Sequence, residues 1–155
     1  MKRAHDMPFG AQTLDEARTR FRIWAPSAEQ VELCLHDHPP RLMPRDAGGW
    51  YQTITVAPPG TRYQFRIDGE LAVPDPASRY NPGDVHGESA VVNPHAFNWR
   101  DESWHGRPWD EAVIYELHVG TFSPAGTFAG VAERLDYLAD LGVTAIELMP
   151  LSDFP

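Results

Sequence analysis

The apolar residues of this chain follow two different periods, and the switch between them near residue 112 divides what it can fold into. Through residue 93 they alternate. In "TRFRIWAP", Phe21 and Ile23 alternate with Arg20 and Arg22, and Pro26 closes the run. In "QVELCLH", Val31, Leu33 and Leu35 share one face, and Glu32, Cys34 and His36 the other. "GGWYQTITVAPPG" sets Trp50, Ile54 and Val56 on one face, with Gln52 interrupting it. In "TRYQFRIDGE", Tyr63, Phe65 and Ile67 alternate with Arg62, Gln64 and Arg66, and Asp68-Gly69 supplies a hairpin turn. Alternation of this kind buries one face and wets the other. Short strands of this type between Gly/Pro turns predict an antiparallel β-sandwich. "SAVVN", residues 89–93, is expected to add a last short strand.

After the switch the runs become continuous. "AVIYELHV" is apolar apart from Glu116 and His118, as in a parallel strand covered on both faces. Next comes "TFAGVAERLDYLADLG", with Phe128, Val131, Leu135 and Leu138 at helical spacing. Thr127 stands at the N-cap position and Gly142 at the C′ position, although Gly130 replaces the Glu or Gln of a capping box. "VTAIELMP" then reads as a second buried strand. Strand, helix and strand at this spacing make a right-handed βαβ unit. One helix covers only one face of two strands. The other face calls for further strands, or for support from the sandwich.

Residues 1–18 hold mixed polar residues with Pro8 and Gly10, and a mobile N-terminus is expected there. Residues 19–93 are the expected sandwich. Within them, Pro74, Pro76 and Pro82 mark an ordered, irregular loop. Residues 94–111 carry Trp99, Trp104 and Trp109 without a period and are expected to pack as an aromatic connector. Residues 112–155 are the βαβ unit.

Charge and cysteine narrow the partners. Thirteen Lys plus Arg face 22 Asp plus Glu, a formal net charge of −9. Such a surface repels phosphate backbones, so nucleic acid is not an expected partner, whereas a neutral sugar is not disfavoured. Cys34 is the single cysteine, which fits a reducing compartment. "MKRAHDMPFGAQ" has basic residues with no apolar stretch after them, and no run approaches membrane-spanning length. A soluble cytoplasmic protein with no membrane partner is the expectation.

Two groups of residues carry a family resemblance. "FRIWAPSAEQVEL" is similar to the opening strands of the carbohydrate-binding-module-48-like domains that precede glycogen branching and debranching enzymes. "VIYELHVGTFSPAGTF" and "LADLGVTAIELMPLSDFP" resemble the start of glycoside hydrolase family 13 enzymes, the α-amylase clan, and "VPDPASRYNPGDVHGES" and "YELHVGTFSPAGTF" point more narrowly to its maltooligosyltrehalose trehalohydrolase branch. The resemblance covers residues 20–155 but only the first part of the family's length. It implies an Ig-like β-sandwich followed by the first βαβ unit of a (β/α)8 barrel. It also implies hydrolysis of the α-1,4 bond next to the trehalose end of maltooligosyltrehalose, by a retaining mechanism with a nucleophile carboxylate, an acid/base and a third carboxylate. The family places these at the ends of the fourth, fifth and seventh barrel strands. This chain ends after the second, so no catalytic residue is expected in it, and the chain alone is expected to be inactive. No metal and no cofactor is expected. The implied partners are an α-glucan substrate and the remainder of the barrel. Two alternatives stay open: the N-terminal region of a glycogen branching or debranching enzyme, and a non-catalytic α-glucan-binding module.

Several residues are weighed as site candidates. Glu116, His118 and Glu147 suggest a carboxylate pair or a metal site, but a hydrogen-bonded trio between buried strands is the favoured reading. Tyr115 and Asp153 flank the barrel's active face and are weak substrate-site candidates, against core packing and a turn role. His36-Asp37-His38 looks like a metal fragment without a third ligand. Arg79 and His86 either staple the Pro-rich loop or contact substrate. Of the five tryptophans, Trp24 falls opposite Phe21 and Ile23, and it is the candidate for an exposed sugar-stacking ring.

Overall fold

The structure is a computed structural model, described for residues 9–151. The chain divides into two compact units at Arg100/Asp101, inside the expected connector.

The first unit is a two-sheet sandwich. One sheet has the order β1-β2-β5, formed by Gly10–Thr13, Arg18–Trp24 and Trp50–Val56. The other follows β4-β3-β6-β7, formed by Arg41–Leu42, Val31–Leu35, Arg62–Ile67 and Ala72–Val73. β8, Ser89–Ala90, pairs with the start of β6. All these pairings are antiparallel. Phe21, Val31, Leu33, Tyr51, Tyr63 and Phe65 fill the space between the sheets, with Tyr63 edge-on to both Phe21 and Phe65. The inward parities expected for β2, β3 and β6 hold.

β5 turns the other way. Tyr51 is buried, while Ile54 and Val56 are exposed. The register with β2 sets Ile23 opposite Tyr51 and Trp24 opposite Trp50. Because side chains alternate, inward Ile23 requires inward Tyr51. The buried phenol is satisfied by donating to the Ala28 carbonyl at 2.7 Å. Thr53 and Thr55 take the remaining inward places, and their outward neighbours carry the larger apolar groups.

Two boundaries move. Residues 10–13, within the stretch expected to be mobile, form β1 and pair with β2 from Gly10↔Arg22 to Thr13↔Thr19. The segment "GAQT" has no alternation to announce it, and backbone pairing rather than side-chain pattern holds it there. The last strand is only Ser89–Ala90, shorter than "SAVVN". In the connector, Trp99, Trp104 and Trp109 are exposed, and the Trp99 ring meets that of Phe97 edge-on at 4.8 Å. That segment has no strand and only one 3-10 turn, Trp109–Glu111, so it offers no regular face to bury its rings.

In the second unit, β9 (Ile114–His118) and β10 (Ala145–Met149) pair in parallel. Between them lie α1 (Val119–Phe122), α2 (Phe128–Ala132) and α3 (Leu135–Asp140). The single expected helix is therefore two, broken at Glu133-Arg134. Its ends match expectation. The Thr127 hydroxyl accepts from the Gly130 N–H at 3.2 Å. At the far end, Gly142 takes φ +93°. Its N–H reaches the Ala139 carbonyl, and the Val143 N–H reaches that of Leu138. This is a Schellman closure, with Val143 packed in the same cluster as Leu138. That cluster joins Leu117, Val119, Ile146 and Leu148 to Val131 and covers one face of the two strands.

Candidate functional site

The outer face of β2 and β5 holds the first candidate. Trp24 is 59% exposed. Its indole Nε1 donates to the Gly48 carbonyl at 3.0 Å, which fixes the ring. That carbonyl is itself set by Asp46, whose Oδ1 accepts from the N–H groups of Gly48 (2.8 Å) and Trp50 (3.0 Å). Across the strand pair, Trp50 is already engaged. The Arg22 guanidinium lies 4.1 Å from its ring centre, and the Phe9 ring stacks nearly parallel to it at 6.2 Å. Trp24 thus keeps an accessible, oriented indole, and such a ring suits the apolar CH face of a sugar. The Asp46 turn was not identified from sequence. Its signal was present as an Asp two residues before a Gly-Gly pair, the pattern of an Asx turn.

The Pro-rich loop is tied down from three sides. Asp75 is buried, and its carboxylate accepts from the Tyr63 hydroxyl at 2.7 Å and the Ala77 N–H at 2.8 Å. Its own N–H donates to the buried Ser89 hydroxyl at 3.0 Å. Burial raises the Asp75 carboxyl above the ordinary carboxylate range, against the pull of the Tyr63 donor. Burial also raises the Tyr63 phenol, and the neighbouring Asp75 charge adds to the effect. Arg79 reaches back to β1 and donates to the Ala11 carbonyl at 2.6 Å and that of Phe9 at 3.4 Å. At the loop's end, Glu88 Oε1 lies 3.0 Å from His36 Nδ1, with Arg62 at 3.9 Å from Oε2. The Glu88 contact, aided by Asp37, raises the His36 imidazole above its usual value. His86 stays exposed, its N–H donating to Asp84.

In the second unit the expected polar trio is not buried. Glu116, His118 and Glu147 are exposed, together with Ile114 and Met149. Glu116 stands directly opposite Glu147 in the register, and His118 opposite Met149. No hydrogen bond among the described residues joins the three. The physical reason is the single covering layer: the helices pack on Leu117, Ile146 and Leu148, and the alternate residues face away. Tyr115 lies on the helix-covered side with its ring edge-on to Phe122 at 6.2 Å, yet it keeps 38% exposure. Asp153 lies outside the described residues. Among the described residues, no group of three or more His, Cys, Asp or Glu is arranged to hold a metal, and His36-Asp37-His38 forms no such group. No helix there is long and apolar enough to cross a membrane.

Comparison with known proteins places this geometry. Residues 8–81 match the family model of carbohydrate-binding module 48, the isoamylase N-terminal domain. Over those residues the first unit is similar to carbohydrate-binding module 48. The module continues into a second unit that is similar to the same set of enzymes. Over 151 residues the chain is 46% identical to the malto-oligosyltrehalose trehalohydrolase of Saccharolobus solfataricus, covering 96% of this chain and 26% of the relative. It is 45% identical over 140 residues to that of Deinococcus radiodurans, covering 89% and 23%. The chain spans about a quarter of the length of these curated relatives. Among solved structures, a Salmonella typhimurium protein assigned as an alpha amylase superposes with a TM-score of 0.90 at 41% identity, covering 97% of this chain and 26% of that one. A Paenibacillus barengoltzii pullulanase complexed with maltotetraose superposes with a TM-score of 0.78 at 27% identity, covering 97% and 28%. The two units are therefore similar in fold to parts of these proteins.

Proposed function

We propose that this chain is part of a retaining glycoside hydrolase that cleaves the α-1,4 bond next to the trehalose end of maltooligosyltrehalose and releases trehalose. The observation that carries the reading is the 46% identity to a trehalohydrolase across nearly the whole chain. The work assigned to it is trehalose synthesis in the cytoplasm, in keeping with a single cysteine. The 155-residue chain by itself is inactive. Retaining hydrolysis needs two carboxyls roughly 5 Å apart flanking a bound glycosidic link. Glu116 and Glu147 are neighbours, but they sit mid-strand on an open sheet face and not at the strand ends where barrel active sites form. The remaining barrel strands complete the catalytic site in a longer polypeptide. The test is product analysis on maltooligosyltrehalose and on glycogen. Trehalose release by the longer polypeptide and none by the 155-residue chain is expected. Trehalose from the short chain refutes its inactivity, and branching or debranching products from the long one refute the substrate.

A second reading has its own observation. The open, hydrogen-bonded Trp24 ring supports direct α-glucan binding by the module, with Tyr115 and Asp153 left as lesser candidates. Titration with maltoheptaose, followed by tryptophan fluorescence in the chain and in Trp24→Ala, tests it. A saturable change that the variant abolishes is expected. A silent titration removes the reading.

A further inference from the structure

The segment after β4 crosses to the other sheet and bridges to the start of β5 at Arg45↔Tyr51. β4 and β5 are both edge strands, one in each sheet. Beside them opens a cleft of about 430 Å³. That is within the roughly 300–1,000 Å³ of small-molecule sites. Its floor and walls are aliphatic: Leu33 and Leu35 from β3, Val56 from β5, and two prolines. Leu33 is buried in the core, whereas Arg41, its partner in the register, is exposed, so the cleft runs from core to solvent. Its lip is polar, and Arg41 is the charged group on it. Arg41 and His38 stand there with Thr55, and no carboxylate lines the space. That absence is notable in a chain with 22 acidic and 13 basic residues. The Arg41 Nη1 donates to the Thr55 hydroxyl at 3.2 Å, which holds the guanidinium over the mouth. A guanidinium has five N–H donors, so this contact leaves the others for a second acceptor.

We propose that this cleft is a binding site for a small organic anion, a monocarboxylate with a short aliphatic tail. The tail lies against Leu33 and Leu35, between Pro39 and Pro58, and the carboxylate meets Arg41 at the lip. Three features select this ligand class. Aliphatic walls without an aromatic ring favour an alkyl tail over a sugar face. A cationic lip free of carboxylates favours an anion. A planar guanidinium already oriented by Thr55 matches the two oxygens of a carboxylate. The site lies between the sheets, away from the outer face that carries Trp24, and does not depend on the hydrolase reading.

The test is titration of the 155-residue chain with sodium hexanoate, followed by amide resonances of Leu33, Arg41 and Thr55. Hexanol and maltotriose serve as comparison ligands, and Arg41→Gln as the variant. Saturable shifts confined to the cleft are expected, with a dissociation constant on the order of millimolar. Arg41→Gln should weaken hexanoate about tenfold and leave hexanol unchanged. Arg62→Gln, outside the cleft, should leave hexanoate binding as it is. The amide spectrum itself reports whether each variant is folded. Hexanol binding as tightly as hexanoate, maltotriose moving the same resonances in preference, or no saturation up to about 20 mM would each overturn the proposal.

Discussion

Tyr63→Phe is the sharpest probe of how the Pro-rich loop is held. The substitution removes one hydroxyl and keeps the ring, whose edge-on contacts with Phe21 and Phe65 lie at 4.8 and 5.8 Å. What is lost is the 2.7 Å bond donated to the buried Asp75 carboxylate. A hydrogen bond to a charged acceptor contributes about 1.5–3 kcal/mol, and a neutral pair about 0.5–1.5 kcal/mol. The loss should therefore depend on whether Asp75 is ionised. Burial already raises its folded-state carboxyl above the ordinary value near 3.9, so keeping it charged costs stability at neutral pH. That cost is present above the folded pKa. It is relieved as pH falls through the folded pKa toward the unfolded one. Removing the Tyr63 donor deprives the ionised form of a partner and raises the folded pKa further. Tyr63→Phe should accordingly cost about 2–3 kcal/mol at pH 7.5 and about 1 kcal/mol once pH drops below the folded value. Urea titrations at pH 7.5 and stepwise down through the carboxylate range, read from the amide resonances of Phe21, Leu33 and Phe65, measure both. These probes report the first unit without contribution from the second. An equal loss across the whole pH series would show that Asp75 does not titrate against Tyr63. A loss below about 0.5 kcal/mol at pH 7.5 would remove the bond from the account of stability.

Three further outcomes are expected. Gly130→Ala gains roughly 1 kcal/mol of helix preference but sets a Cβ 2.2 Å from Ser123 Oγ and 3.1 Å from Ala125 Cβ. Overpacking of about 1–3 kcal/mol should win. Amide exchange in α2 should quicken and Ser123→Gly in the same chain should restore it, whereas slower exchange in the single variant would refute the clash. His36 should titrate above 6.5 in an NMR pH series, and Glu88→Gln should bring it back toward that value. Because the folded imidazole is raised, its tie to Glu88 is present below the unfolded pKa and lost as pH rises through the folded one. A titration unmoved by Glu88→Gln would break the assignment. Ser89→Ala leaves the buried Asp75 N–H without its acceptor and should cost about 1–3 kcal/mol, by the same urea titration. A change within about 0.5 kcal/mol would mean that the amide finds another partner.

The sequence was readable where one physical rule acted alone. Alternation set the inward faces of β2, β3 and β6, because each has apolar residues on one side and polar residues on the other. β5 resisted because its two sides compete. Trp50, Ile54 and Val56 look like a core face, and Thr53 and Thr55 look like a wet one. The pairing of Ile23 with Tyr51 decided otherwise, since a strand cannot turn one residue without turning all of them. β1 was hidden for a different reason. "GAQT" has no pattern, and its place comes from pairing with β2 and from Arg79, which lies far along the chain. The paired acids of β9 and β10 were read as buried because a continuous apolar run implies two covered faces, and only one is covered among the described residues.

The parity of β5 decides what the candidate sugar platform is. Had Trp50 faced inward, Trp24 would stand alone on its sheet. Because the register sets them side by side, Trp50 is available to Arg22 and Phe9, while the ring of Trp24 is held by the Gly48 carbonyl. The two tryptophans therefore have different roles, although composition cannot tell them apart. Trp24 offers the ring that a ligand would meet, and Trp50 gathers the groups that border it. Truncating Trp24 removes a contact surface, whereas truncating Trp50 releases Arg22 and Phe9 from the ring they share. If the module binds glucan on this face, Trp24→Ala acts by loss of stacking and Trp50→Ala by loss of order beside it.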